Sequence, residues 1–546
     1  MSEKTLDSNK TFSVHFWICV TAIIIFMLFN CAREINRPFY GLHSWAQASG
    51  AWAARTHAKY GFGYTKGMST WAVGANPKET PDRYFDHPQL GGITNGIIAK
   101  IFGASELTFR ISSLITSAII ILLLALILKG LTDPLIALLS LLILVMFPIS
   151  TYFQLGWWTV VFGLGAMYLY LVLIKDLKDN PAPTKWHKIG LAACLFLSLQ
   201  IAWTGFFYAF AIGFHYVCRC IKRKRLPDWS LIAIMIIAPL ASMAITFTIM
   251  AIGYGGISHI IELYKWRAGN AEVAAATEPF NWQMWFETLW MHSSTNYTVP
   301  IVLAAIAYIT IGQLLVFIGP KDPQTGRFKY QFPQFWLFMI PAIVQLFALR
   351  GCLWKHQTWL HPFDPFVAIA AALFIMLAYE HIKKINVKLA ISAALIIIAI
   401  FTGYCIAGTN YYYDIRWQPE QKIDMFKTLN SKIPADKYLL CFEPFTVDQH
   451  KSKGAFYRPE IAWYLDREIV EAKSFEEIQK QALTGNFPYY LVPNVPQLRP
   501  LINQLMQTYN YEYIPGVEGK QTDDGKFIQA GMYPYFIFDL YSKKEK

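Results

Sequence analysis

Between Pro134 and Ile174 the chain runs for 41 residues without one Asp, Glu, Lys or Arg side chain. No soluble fold has room for such a stretch, because charged residues make up about a quarter of an ordinary globular surface and core together. A helix that crosses the hydrocarbon core of a bilayer needs about 20 apolar residues. The charge-poor runs that qualify, wholly or nearly, are roughly 12–31, 107–128, 132–150, 156–174, 188–203, 204–218, 229–252, 298–318, 334–349, 361–379 and 389–407. The expectation is a polytopic α-helical membrane protein with about eleven spans. Composition agrees, with 15% charged and 55% hydrophobic residues among 546.

The net charge of +12 is unevenly spread. Residues 408–546 hold 17 basic and 18 acidic side chains, whereas 1–407 hold 31 and 18. The excess therefore belongs to the apolar part, in short clusters between runs, which is the pattern of cytoplasmic loops and not of a nucleic-acid footprint. With a cytoplasmic N-terminus and two short spans in 188–218, separated at Trp203-Thr204-Gly205, the clusters at Lys175–Lys188, Arg219–Arg225, Lys321–Lys329 and Lys383–Lys388 all fall inside. The Arg219–Arg225 cluster reads as a topology signal. The charge-free stretch becomes a hairpin turning near Pro148 to Gly156, and the polar segments 32–106, 253–297, 350–361 and the tail from 408 lie outside.

Two domains are expected: a transmembrane domain over 1–407 with a large first outer loop (32–106), and a small extracytoplasmic α/β domain over 408–546. In the tail, strand-like runs (Tyr438–Phe442, Tyr489–Val492, Tyr535–Phe538) alternate with helix-like ones (Ser474–Leu483, Pro500–Thr508). The segment 86–103 reads as an interfacial helix, and so does the stretch around Glu262, Tyr264, Lys265, Trp266 and Arg267. The eight cysteines form neither a disulfide framework nor a CxxC site. P-loop, HExxH, GxSxG and DxD signatures are absent, which removes ATP-driven transport, zinc proteolysis and metal-bound nucleotide-sugar chemistry from consideration. Neither a metal nor a cofactor is called for.

Histidine, tryptophan, tyrosine and cations are instead concentrated on the outer segments. The first loop opens with Arg37-Pro38-Phe39-Tyr40-Gly41-Leu42-His43-Ser44-Trp45-Ala46-Gln47-Ala48-Ser49 and closes with Tyr84-Phe85-Asp86-His87-Pro88-Gln89-Leu90, and Arg110 lies near the start of the next span. A late motif reads His361-Pro362-Phe363-Asp364-Pro365 after Lys355-His356. This arrangement resembles the GT-C glycosyltransferases of the protein O-mannosyltransferase and aminoarabinose-transferase type, in topology over the whole chain and in motifs over about a tenth of it.

The resemblance implies a sugar transferase on the outer face of a plasma (inner) membrane. Its donor would be a polyprenyl-phosphate sugar, and its acceptor hydroxyl would belong to a protein, lipid or polysaccharide. Asp86 would be the general base with His87 orienting it, and Asp82 and Glu34 stand in reserve. Arg110, Lys355, His356 and His361 would stabilise the phosphate leaving group, with Arg350 and Lys66 behind them. His43, Trp45, Gln47 and Lys66 would contact substrate. Transfer would invert the anomeric carbon. The family usually has an acid within the stretch that reads His43–Ser49 here, and Ser49 stands where the related branch commonly has Asp; the stretch Gln154–Thr159 likewise holds no acid. These departures leave two rivals: a non-catalytic lipid-linked-sugar binder or assembly subunit, and a transporter or flippase.

Overall fold

In the computed structural model, residues 3–544 are described except 34, 80, 85–86, 154–157, 179–180, 255–257, 259–260, 262–263, 266–279, 313, 315–333, 354–356, 444–445, 449–454 and 522–526. Asp86, Glu34, Lys355 and His356 lie outside the described residues, as do most of the expected interfacial stretch at 262–267 and the Gln154–Trp157 turn. The chain forms two compact units. One gathers residues 1–35, 85–91 and 110–410; the other gathers 36–84, 92–109 and 411–546.

The first unit is helical, and every apolar run read from the sequence contains a helix. Among the described residues, five helices are long and apolar enough to span a membrane: Val14–Ala32, Glu106–Leu131, Trp229–Gly253, Gln357–Lys383 and Val387–Asp414. A sixth counts if Trp282–Tyr297 and Val299–Gly312, bent by 109° at Thr298, are one broken span. These helices do not by themselves confirm a count of about eleven spans. The helix Pro134–Met146 has 13 residues and Trp158–Leu173 has 16, so at 1.5 Å per residue each falls short of a core about 30 Å thick.

Local chemistry sets where these helices begin and end. Asp133 accepts from Leu135 N at 2.9 Å with Pro134 in the first turn, and Asn281 caps Trp282–Tyr297 through Gln283 N and Met284 N. The break in 188–218 is real: one helix ends at Ile201 and the next starts at Thr204. Gly205 makes it possible, since a Cβ there would lie 2.7 Å from Leu199 N and Ser198 C. Buried polar side chains tie neighbours together, with Thr159 Oγ1 donating to Ser198 O (3.0 Å) and Gln200 Nε2 to Ser242 O (2.7 Å). On Val387–Asp414, by contrast, Leu395, Ile396 and Ile406 stand exposed. Such an apolar face suits lipid and not water.

The other unit is α/β and joins the first loop to the tail. A five-stranded sheet runs in the order Ile469–Glu471, Leu439–Cys441, Tyr489–Pro493, Tyr535–Lys543, Tyr509–Ile514, parallel across the first three strands and antiparallel across the last two pairs. Alternate residues face opposite sides. Leu440, Tyr490, Val492, Phe536 and Phe538 form one core with Ile478 and Leu505 of the helices Phe475–Ala482 and Arg499–Thr508. Leu439, Cys441, Leu491, Tyr535 and Ile537 form the other core with the helices Glu420–Lys432 and Pro459–Leu465, and with Phe39, Tyr40, Ala48, Ala51 and Trp52 of the first loop. Residues 36–84 and 92–109 of the first loop thus share a compact unit and a core with the tail. The expected strands and helices of the tail are all present, and the 86–103 segment carries the helix Leu90–Phe102.

Within this unit the helix Ser44–Thr65 packs against Pro459–Leu465 and against the antiparallel pair Ser69–Trp71 and Asp82–Tyr84. Buried His57 donates from Nδ1 to Thr65 Oγ1 (2.9 Å), whose own proton goes to Gly61 O. Desolvation pushes the imidazole from 6.5 down to about 4. The unfolded chain therefore binds this proton first as pH falls. Stability linked to His57 is fully present above pH 6.5 and is lost as pH drops toward about 4. Thermal melting of the purified protein between those limits should fall with acid, and His57→Gln should flatten that dependence.

Candidate functional site

In the helical unit, polar side chains converge on the 3-10 turn Gln357–Phe363 that leads into the Asp364–Lys383 helix. Asn296 Nδ2 donates to Gln357 O (3.1 Å), Gln345 Nε2 to Trp359 O (2.8 Å) and Tyr297 OH to Leu360 O (2.7 Å). Side chains from two other helices thus hold three carbonyls of the turn. At its end, His361 Nδ1 lies 2.8 Å from Asp364 Oδ2, and Tyr297 OH lies 2.9 Å from Asp364 Oδ1. His361, Asp364 and Tyr297 are 6%, 2% and 1% exposed. An acid so placed needs donors; His361 faces one of its oxygens, and the single Tyr297 proton is shared between Asp364 Oδ1 and Leu360 O.

His87 meets the same turn, its ring 6.1 Å from that of Trp359. Burial pushes its imidazole down to about 4, so at neutral pH it is uncharged. It can orient a neighbour by hydrogen bonding and does not serve as a cation. Arg110 is buried and donates from Nη1 to Ile35 O at 2.8 Å. Arg350 lies over the rings of Phe280 (4.4 Å) and Trp282 (5.4 Å), which hold the guanidinium by cation–π attraction. Of the residues read from the sequence, the structure brings His87 and His361 to one turn and adds Asp364.

Tyr297, Asn296 and Gln345 were not foreseen. The polar run Ser293-Ser294-Thr295-Asn296-Tyr297-Thr298 directly before Val299-Pro300 was the available signal, since so many hydrogen-bonding groups at the mouth of an apolar helix require partners.

In the α/β unit, the His43 motif forms a second polar group. His43 sits in the left-handed region (φ 53°) just ahead of the Ser44–Thr65 helix, with its ring 5.0 Å from Trp417. Ser44 Oγ donates to Glu460 Oε1 at 2.7 Å, and both side chains are buried. Desolvation raises the Glu460 carboxyl above the usual range, opposed by the Ser44 hydrogen bond and by Arg458 and Lys422. Burial also lowers the Lys422 ammonium to about 8. Trp45 and Gln47 are half-buried, and Lys66 closes the helix in a left-handed turn (φ 53°) with its side chain exposed. His43 and Ser44 are thus packed into the core of this unit. Nearby, Asp466 accepts from Lys59 (2.9 Å) and pairs with Arg55 (3.4 Å), fixing the loop helix to the tail. Among the described residues, no three His, Cys, Asp or Glu side chains come together as a metal would require.

No protein-family profile matches the chain, and no curated protein matches it by sequence. Solved structures do. ArnT from Cupriavidus metallidurans in the apo state superimposes with a TM-score of 0.56 at 10% identity, covering 97% of this chain and 98% of that one. The same protein bound to undecaprenyl phosphate gives 0.54 at 10% identity over the same shares. The apo oligosaccharyltransferase of Archaeoglobus fulgidus aligns at 0.47, with 12% identity over 94% of this chain and 74% of that one, too distant a superposition to carry an argument. The resemblance to GT-C glycosyltransferases read from the sequence therefore holds at the level of the fold, end to end.

Proposed function

We propose that the chain is a multi-pass membrane glycosyltransferase that moves a sugar from a polyprenyl phosphate to an acceptor hydroxyl on the outer face of the plasma membrane, with inversion. The observation that carries this reading is the end-to-end likeness in fold to ArnT, a protein solved with undecaprenyl phosphate bound. Supporting it is a buried, hydrogen-bonded histidine at the head of a membrane helix, where a phosphate leaving group would gain most from a positioned donor in a low-dielectric setting. His361 and Arg110 are proposed as phosphate-binding groups, joined by Lys355 and His356. Asp86 is the proposed base, with neutral His87 orienting it. Trp45, Gln47 and Lys66 are proposed substrate contacts, and His43 a positioning element of that loop. The basic clusters between the apolar runs support a cytoplasmic N-terminus with the α/β unit outside.

Membranes carrying the wild-type chain, supplied with extracted radiolabelled polyprenyl-phosphate sugars, should pass label to an acceptor. Asp86→Asn should abolish transfer. His361→Ala should lower it about 100-fold, the scale on which one oriented donor to a developing oxyanion acts. Transfer undiminished in Asp86→Asn would move the base elsewhere. Donor binding without transfer by the wild type would favour the lipid-linked-sugar binder, the reading suggested by the acid missing from His43–Ser49.

A further inference from the structure

Deepening that reading and resting on it, we infer that Asp364 and Tyr297 are positioning residues for His361: they turn its Nδ1 inward, so that Nε2 is the atom that meets the phosphate of the lipid-linked donor. Nδ1 is 2.8 Å from Asp364 Oδ2, and with Asp364 ionised its oxygens only accept, so this nitrogen carries the proton. The tautomer is thereby fixed. Any exchange of a proton or hydrogen bond with a ligand must then use Nε2.

The backbone around the pair is built to hold this geometry. His361 and Asp364 are three residues apart where the 3-10 turn runs into the helix, which places both on one side. Pro362 and Pro365 remove backbone freedom on either side of the acid. Tyr297 OH shares its one proton between Leu360 O and Asp364 Oδ1, so it holds the carboxylate by the oxygen that His361 does not use. Asn296 and Gln345 anchor the preceding carbonyls. A pair needed only to join two helices would require none of this around the imidazole itself. A histidine whose nitrogen must sit within a few tenths of an ångström of a phosphate oxygen requires all of it. The acid also offsets the charge of the imidazole when Nε2 carries a proton toward an anionic ligand.

The test is a double-mutant cycle on the purified full chain, reading undecaprenyl-phosphate binding and donor turnover for His361→Ala, Asp364→Asn, Tyr297→Phe and the two pairs that include His361→Ala. Asp364→Asn and His361→Ala should each weaken binding about tenfold or more, as for loss of a hydrogen bond to a charged group. The double variant should be no weaker than His361→Ala alone. The Asp364→Asn deficit should appear in kcat/KM for the donor and leave the acceptor KM unchanged. Losses that simply add would overturn the inference, as would Asp364→Asn binding like the wild type. Should Asp364→Asn fail to fold, the Tyr297→Phe arm decides by the same rule: its smaller loss must vanish in the His361→Ala background. A wild-type chain that binds no undecaprenyl phosphate overturns the parent reading, and this one with it.

Discussion

Asp176→Ala should destabilise the helical unit by about 3–5 kcal/mol, the cost of leaving one partner of a buried ion pair alone. Arg219 Nη1 bonds both carboxylate oxygens of Asp176, and Nη2 donates to Ile174 O at 2.7 Å. The two side chains are only 13% and 10% exposed. Gln334 Nε2 reaches the same carboxylate at 3.5 Å. One acid therefore joins the end of Trp158–Leu173, the end of Thr204–Arg223 and the start of Phe335–Ala348. Arg223 lies at 3.7 Å and is 47% exposed, so Arg223→Gln should change melting little. Because the harm comes from the stranded guanidinium, Asp176→Leu combined with Arg219→Met should melt closer to the wild type than Asp176→Ala does. Melting of the purified chain in detergent, followed by tryptophan fluorescence, reads all four. Equal melting of Asp176→Ala and wild type would mean that the pair is solvated and without net effect.

The sequence offered no hint of this cluster beyond a count of positive charge. Arg219 was read there as a topology signal, and it is also a structural member. That failure is informative, because hydropathy reports how a segment partitions between water and lipid and carries nothing about which loop acid meets which helix cation. For the same reason the apolar runs could be placed within a few residues, whereas the shortness of Pro134–Met146 and the bend at Thr298 could not. Both depend on what packs beside the helix. In the tail, local pattern sufficed: the short aromatic and apolar runs Tyr489–Val492 and Tyr535–Phe538 mark strands whose two faces fill two different cores.

The candidate site divides in the same way. His361 and His87 stood out through the motifs that carry the family resemblance, and the turn at 357–363 brings His87 close to Trp359 and His361 close to Asp364. Tyr297 is 67 positions from Asp364 and contributes through one hydroxyl. Nothing local in its surroundings distinguishes it from any interfacial tyrosine. The His43 motif was less legible. A dense aromatic and polar sequence suggested a surface for substrate, yet His43 and Ser44 are buried against Trp417 and Glu460, residues from the far end of the chain. Pairing over such separations has no periodicity to reveal it.

That long-range pairing has the second large consequence. Trp52→Ala should destabilise the α/β unit by about 3–5 kcal/mol, through the lost apolar contacts and the cavity left behind. Trp52 is 1% exposed, its Nε1 donates to Ala72 O at 2.7 Å, and its ring lies 6.1 Å from that of Trp71. It belongs to the same core as Ile423, Phe426, Leu439 and Ile537, all from the tail. A cavity in a shared core is felt by every element that lines it, since packed interiors transmit strain. Limited proteolysis should therefore find new cleavage sites within 411–546 in a chain altered only at position 52. Cleavage confined to 36–84, with the tail as resistant as in the wild type, would show that the tail folds without the loop. If both segments open together, the early loop and the late domain are one cooperative unit, and changes to the His43 motif will act on activity through the stability of that unit as well as through any contact with substrate.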